Sequence, residues 1–589
     1  MEERFMENKE GKMIVWAVMA MLIFALLTIA QADQQENEVA LQQSELPIKE
    51  MNTAADRENV GENSSIEMNE PIRVDMETQK DIMEELIQQE ASINLEKIDL
   101  TILEKLKYDV AKGKEIIADF TRNDKIIMDT GNNYSTVKGV TCFRGNHYRD
   151  SASFGFAEIN ERKLEIQWQI PIGGIDSWTG VGWNGQPSIV EWSKELKNTM
   201  NIIEEKKAKE DLREVIYAAL DGKVYFLDLE DGTPTREKIQ IPGPVKGSLT
   251  VDPRGIPLLY VGQGINTVQG KRVEMGYRIY SLIDQQKLFF INGSDSFAFR
   301  SWAAFDSTAL IDEKTDTMLL AGENGIFYTV KLNTDYDKIA NTITIDPEVM
   351  KYRYRITGNN YQGIENSVAV YKNLAYFADN GGWLQCIDLN TLTPIWVRDI
   401  TDDTDSTVVI EEEKEDQVNL YTACEVDKQG AKGISYIRKI DALTGQLSWE
   451  KAYACDSKLG DKPNNGGALA TPVVGKNSLN HMVIYNLARW GGFNRGLLVA
   501  LDKNTGEEVW RLELANYSWS SPVDVYTEEG EGYIVVCDSA GKMHLVDGLT
   551  GHTLDVIELG ANVEGSPAVF DNMVVVGTRG QKIYGVRIY

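Results

Sequence analysis

From about residue 217 to the C-terminus the chain repeats one phrase eight times: a β-run, a Gly turn, a second β-run, then Asp and a Thr-Gly or its remnant. Clear copies are YAALDGKVYFLDLEDG (217–232), YFADNGGWLQCIDLNTLTP (376–394), GLLVALDKNTG (496–506) and VVCDSAGKMHLVDGLTG (535–551). Self-similarity at a fixed period constrains a fold more than any local signal, because a short β unit cannot bury its face alone and must stack on its neighbours. The Asp-to-Asp spacing is roughly 50 residues, above the ~40–45 of a WD-repeat blade.

Each unit carries two further elements. A short β-run opened by a small residue and often Pro precedes the phrase, as in QPSIVEW (186–192), ATPVVG (470–475) and SSPVDVY (520–526). A run with Trp or another bulky residue follows the Thr-Gly turn, as in IWVRDI (395–400) and VWRLEL (509–514). Four antiparallel strands per unit, repeated around an axis, predict an all-β, eight-bladed propeller. The Trp is expected to cover the gap between blades. The last run, KIYGVRIY, has no outer strand after it, so either VKGVTCFR (137–144) or LEIQWQI (164–170) is expected to close the ring.

Before the repeats, Met13 to Ala30 holds no charged residue. At 1.5 Å per residue this reaches about 27 Å, enough for a bilayer core. Arg4, Lys9 and Lys12 precede it and no Lys follows until Lys49, so the N-terminus is expected in the cytoplasm and the rest outside. Ala30-Gln31-Ala32 also allows a cleaved signal peptide. Residues 33–90 hold 16 acids and 4 bases with few aromatics, the composition of an extended, self-repelling tether. A short helix is expected at 76–89. The domain plan is a cytoplasmic leader (1–12), a transmembrane anchor (13–31), a disordered acidic tether (32–90), a lead-in packed on the propeller (91–138) and the propeller (139–589).

The formal net charge is −30, which disfavours nucleic acid as a partner. There is no CxxC, no CxxCH and no adjacent Cys pair among the five cysteines, and the four His show no metal-ligand spacing. Cys424 and Cys455 fall on strands two and four of one unit; two strand steps of about 4.8 Å put them beyond the ~7 Å disulfide limit unless a strand end curls.

The units resemble the repeat of the pyrroloquinoline-quinone (PQQ)-type propeller family, through LVALDKNTGEEVW (498–510), IRKIDALTGQLSW (437–449) and the Ser-Pro-Val inner strands. The resemblance covers about residues 139–589. It implies the fold, and it implies two kinds of function. One is quinoprotein dehydrogenases, whose quinone stacks on a Trp beneath a disulfide of adjacent cysteines, with Ca²⁺ on Glu, Asn and Asp. The other is non-catalytic propellers such as the lipoprotein of the outer-membrane β-barrel assembly machine. The missing cysteine pair points to the non-catalytic branch, with no cofactor, no metal and no catalytic set.

In this strand order the hairpins between strands two and three share one face with the connections from outer to next inner strand. Those loops are rich in aromatic, Arg and Asn residues: SWTGVGWNGQP (177–187), FRSWAAF (299–305), GNNYQGIENS (358–367), NNGGALATP (464–472), NYSWSSP (516–522), DNGGW (379–383) and ARWGGFNRG (488–496). Trp183, Arg300, Trp302, Tyr361, Trp383, Asn465, Arg489, Trp490 and Trp519 are the candidate binding residues, since exposed Trp, Tyr and Arg anchor interfaces. The competing reading has these aromatics plugging the funnel between blades. The acidic run DITDDTDSTVVIEEEKED (399–416) lacks the turn Gly of a calcium loop and is expected to be a solvated loop. The expected role is a membrane-anchored, extracytoplasmic propeller binding a protein or cell-envelope polymer without catalysis; the alternative is a degenerate quinoprotein or another enzyme using the funnel face.

Overall fold

Every repeat closes into a four-stranded antiparallel blade, and eight blades form the ring. Blade 4 shows the plan: Ala369–Tyr371, Leu374–Ala378, Trp383–Asp388 and Thr393–Asp399 lie side by side from the axis outward. The computed structural model describes residues 90–589 apart from 94, 461 and 462. The apolar stretch, the tether and the helix expected at 76–89 lie outside the described residues. No helix among the described residues is long and apolar enough to cross a membrane.

The outer-strand Trp and the Asp-Thr-Gly turn form one joint. In the turn, Asp441 Oδ1 accepts the Thr444 backbone N–H at 2.9 Å and the Thr444 hydroxyl at 2.8 Å, which fixes the loop. Trp396 of the preceding blade donates its indole N–H to Ala442 O at 2.9 Å, and its ring lies over Gly445. A Cβ there would stand 2.7 Å from the indole, and φ is +70°, so both space and backbone require Gly. The same joint recurs at Trp449 with Lys503 O and at Trp510 with Gly548 O, each at 2.9 Å.

The small residues opening the inner strands have a different cause. From blade 3 onward the opening N–H of one blade donates to the hydroxyl that opens the next: Thr308 to Ser367, Ser367 to Thr407, Thr407 to Thr471 and Thr471 to Ser521, all at 3.0 Å. Ser521 N–H continues the series to Ser566 at 3.2 Å, and Ser566 N–H returns to Gly185 O of blade 1 at 3.1 Å. Backbone donors facing the axis are therefore satisfied between blades, where a ladder cannot reach them.

Of the two segments offered for closure, Leu164–Pro171 is the outer strand of blade 8, antiparallel to Lys582–Ile588. Its Trp168 makes the usual joint with blade 1, donating to Leu229 O at 2.8 Å. The other segment goes to the axis. Lys138–Val140 pairs with the inner strand of blade 1, and the chain then crosses the channel to Ser153–Phe154, which pairs in parallel with blade 8. Between these points it touches every blade. Val251 N–H donates to Thr141 O and Ile410 N–H to Tyr148 O. His147 Nδ1 and Val370 O are 2.8 Å apart. Arg144 is fully buried and donates to Pro522 O at 2.6 Å and Pro472 O at 2.8 Å. Arg149, equally buried, donates to Val368 O at 2.8 Å, Phe143 O at 2.8 Å and Thr308 O at 3.0 Å.

Leu106–Lys112 pairs with the outer strand of blade 3, Glu348–Ile356, and Glu115–Ile117 adds a sixth strand to that sheet. All five cysteines are buried and unpaired. Cys424 directly follows strand two, Gln417–Ala423, and Cys455 lies on strand four, with Lys432–Asp441 between them.

A carboxylate-lined mouth as candidate functional site

The hydroxyl ring sets the register of the channel mouth. Two residues before each opening hydroxyl, the chain turns from the outer loop into the inner strand, and that position rims the axis. Reading around the ring from blade 2, these positions hold Lys246, Asp306, Glu365, Asp405, Leu469, Trp519 and Glu564. Hairpins of the same face add Glu323, Asn380 and Glu425.

Two carboxylate groups result. Asp306, Glu323 and Glu365 place oxygens within 4.8 Å of one another, and so do Asp403, Asp405 and Glu425. Lys246 pairs with Asp306 and stands 3.1 Å from Glu365. Asn380 joins the groups, its Nδ2 lying 3.2 Å from both Glu365 and Asp403, while Arg300 donates to its Oδ1 at 2.6 Å. Lys428 reaches Asp403 at 3.2 Å, and Asn465 donates to Glu425 at 3.0 Å. One oxygen each of Asp306, Glu323, Asp405 and Glu425 is buried without a hydrogen-bond partner.

Such crowding penalises ionisation. Burial, then the charges of Glu365 and Asp306, push Glu323 well above the ordinary carboxylate range. Burial with neighbouring carboxylates does the same to Asp403 and Asp405. Glu365 is the exception: burial opposes its charge too, but Lys246, Asn380 and Arg300 outweigh that and hold it low. Burial raises Glu425 to about 7, partly offset by Asp405 and Asn465.

A raised value means that the folded state holds the proton more tightly than the unfolded chain. The stability this contributes is complete below the unfolded pKa of about 4.3 and is lost as pH rises through the folded one. In chelator-treated buffer, Glu425→Gln is therefore expected to match the wild type at pH ~4 or below and to exceed it at pH ~8 by on the order of 1–3 kcal/mol. Urea unfolding at the two pH values checks this; a constant difference between the proteins would show that Glu425 does not titrate in the fold.

The mouth gathers only some of the residues expected to bind. Asn465 donates to a mouth carboxylate, Arg300 reaches the mouth through Asn380, and Trp519 donates its indole N–H to Asn465 O at 3.1 Å. Tyr361 is 53% exposed, with the Lys428 amine 4.8 Å from its ring centre. Trp183 and Arg489 are buried instead, Arg489 between the rings of Phe493 and Tyr517 at 4.1 and 4.2 Å. Trp302, Trp383 and Trp490 are half-buried on local apolar clusters. The run 399–416 is not a solvated loop. Asp402 and Thr404 are buried, Asp403 and Asp405 line the mouth, and Val409–Lys414 is the inner strand of blade 5. The acids of the mouth escaped the loop-by-loop reading; the position two residues before each opening hydroxyl is the signal that finds them.

A family model described as outer membrane protein assembly factor BamB matches residues 494–588, within blades 6 to 8. Over these last blades the chain is PQQ-repeat-like, and its whole ring is an eight-bladed β-propeller. The outer membrane protein assembly factor BamB of Kangiella koreensis is 37% identical over 86 residues, 14% of this chain and 21% of that one. Methanol dehydrogenase [cytochrome c] subunit 1 of Methylobacterium organophilum is 27% identical over 124 residues, 21% of this chain and 16% of the relative. These matches span about a fifth of each curated relative's length. The quinohemoprotein alcohol dehydrogenase ADHIIG of Pseudomonas putida HK5 shares the fold, with a TM-score of 0.51 at 12% identity over 77% of this chain and 80% of that one. In this propeller the oxygen-rich groups suit a hard cation. A quinone clamped by adjacent cysteines does not fit, because every cysteine stands alone and is buried.

Proposed function

We propose that the protein is a binding scaffold held outside the cell membrane by its N-terminal apolar segment, docking a protein partner on the funnel mouth without catalysis. The observation that carries this reading is the axial segment: residues 138–154 fill the channel and make hydrogen bonds to inner strands around the ring, so the mouth is a floored bowl. A floored bowl with half-buried aromatics and fixed charges at its rim offers a docking surface. The family match to an outer membrane assembly factor supports a protein partner.

The test is cross-linking on intact cells with a membrane-impermeant reagent, followed by capture. The wild type is expected to trap a partner before lysis. Tyr361→Ala and Trp519→Ala should each weaken capture by about 1–2 kcal/mol with an unchanged melting temperature. Trp183→Ala, being buried, should instead lower stability. Cross-linking only after lysis, or full capture by both rim variants, would overturn the proposal.

The carboxylate groups favour one second reading, an enzyme that uses acids of raised pKa at the mouth. Hydrolysis of a chromogenic ester or glycoside by the wild type, lost in Glu425→Gln, would establish it.

A further inference from the structure

Beside the mouth, on the outer edge of blade 3, lies a cavity of about 520 Å³ lined by Lys105, Lys107, Phe299, Arg355, Asn360 and Gln362 among others, with no carboxylate in its wall. In a chain of net charge −30 an acid-free basic pocket runs against composition. Its cations are also placed at a cost. Lys107 and Arg355 are directly opposed on neighbouring antiparallel strands, where like charges destabilise the pair. Lys105 adds a third from the turn that docks on Thr357, whose N–H donates to Lys105 O at 3.0 Å. Among the described residues no carboxylate forms an ion pair with any of the three. The next cation along the same strand, Arg353, is by contrast neutralised by Asp109 at 2.7 Å. Arg355 is held in place, its guanidinium stacked 3.6 Å from the Phe299 ring centre, which leaves its edge free for forked hydrogen bonds.

We propose that this pocket binds a phosphate-bearing ligand, with the phosphoryl group between Lys105, Lys107 and Arg355 and the remainder over the Asn360 and Gln362 amides. Three cations around one cavity exceed what one carboxylate satisfies, whereas a phosphoryl group offers three oxygens and up to two charges. The repulsion between Lys107 and Arg355 is then a property of the empty pocket that the ligand relieves. The site is separate from the carboxylate mouth and does not depend on the docking role.

The test uses the full-length protein in detergent with inorganic phosphate. Phosphate should raise the wild-type melting temperature, and sodium chloride at matched ionic strength should not. Lys107→Gln should raise the melting temperature of the phosphate-free protein, because a like-charge contact is lost, and should abolish the response to phosphate. By calorimetry, Lys107→Gln and Arg355→Gln should each weaken phosphate binding at least about tenfold. Glycerol 3-phosphate and dihexanoyl phosphatidylglycerol distinguish a free ester from a lipid headgroup; whichever binds tighter, with loss in both variants, names the source. An equal response to chloride, or unchanged binding in both variants, would overturn the proposal.

Discussion

Replacing Leu164–Pro171 with a Gly/Ser linker of the same length is expected to abolish cooperative unfolding of the whole ring. The segment is the outer strand of the last blade, paired from Lys582 to Ile588, although it precedes every blade in sequence. Its removal bares the edge of the C-terminal strand. It also removes Trp168, which is 7% exposed and bridges blade 8 to blade 1 through its bond to Leu229 O. Loss of a buried large aromatic costs about 3–5 kcal/mol, and each lost ladder bond about 1 more. Together these rival the about 5–15 kcal/mol by which a domain is ordinarily stable. A thermal melt by circular dichroism should show a broad, early transition. A single sharp transition at the wild-type midpoint would mean that the ring closes by another route.

Arg149→Ala should be the most damaging point substitution in the axial segment, lowering stability by about 5 kcal/mol or more. The side chain is fully buried and carries three charge-assisted hydrogen bonds to carbonyls, two of them on blades 3 and 4. Such bonds are each worth about 1.5–3 kcal/mol, and alanine leaves all three carbonyls without a donor. Arg149→Lys, with one ammonium in place of a fork, should fall between alanine and wild type. Urea unfolding measures both. Equal stability of all three proteins would mean that water replaces the guanidinium and that the axial segment does not tie the blades together.

The periodic elements were legible because their causes are local. Asp441, Thr444 and Gly445 form a turn by contacts within a few residues, and the Trp396 joint repeats wherever the turn does. The opening hydroxyls were visible as small residues, but their use was not, since Ser367 and Thr407 meet only when adjacent blades stand side by side. The aromatic loops illustrate the limit. Composition ranked Trp183, Arg489 and Trp519 alike, yet the first two are buried and the third reaches the rim. The run 399–416 shows the same thing for charge: acids that look solvated in sequence are drawn inward when the inner strand they precede joins the ring.

By itself, the sequence determined the blade, the number of blades and the joint between them, since period, turn chemistry and outer-strand Trp act within one repeat or between neighbours. Which segment closes the ring, which fills its axis and which acids meet at its mouth were decided only in three dimensions. Each depends on residues brought together by circular closure: Trp168 meets Gly585, Arg149 meets Thr308 and Val368, and Glu365 meets Asp403 through Asn380. No period records such contacts, because each occurs once and its energy comes from burial at the axis, which exists only after the eight blades have closed.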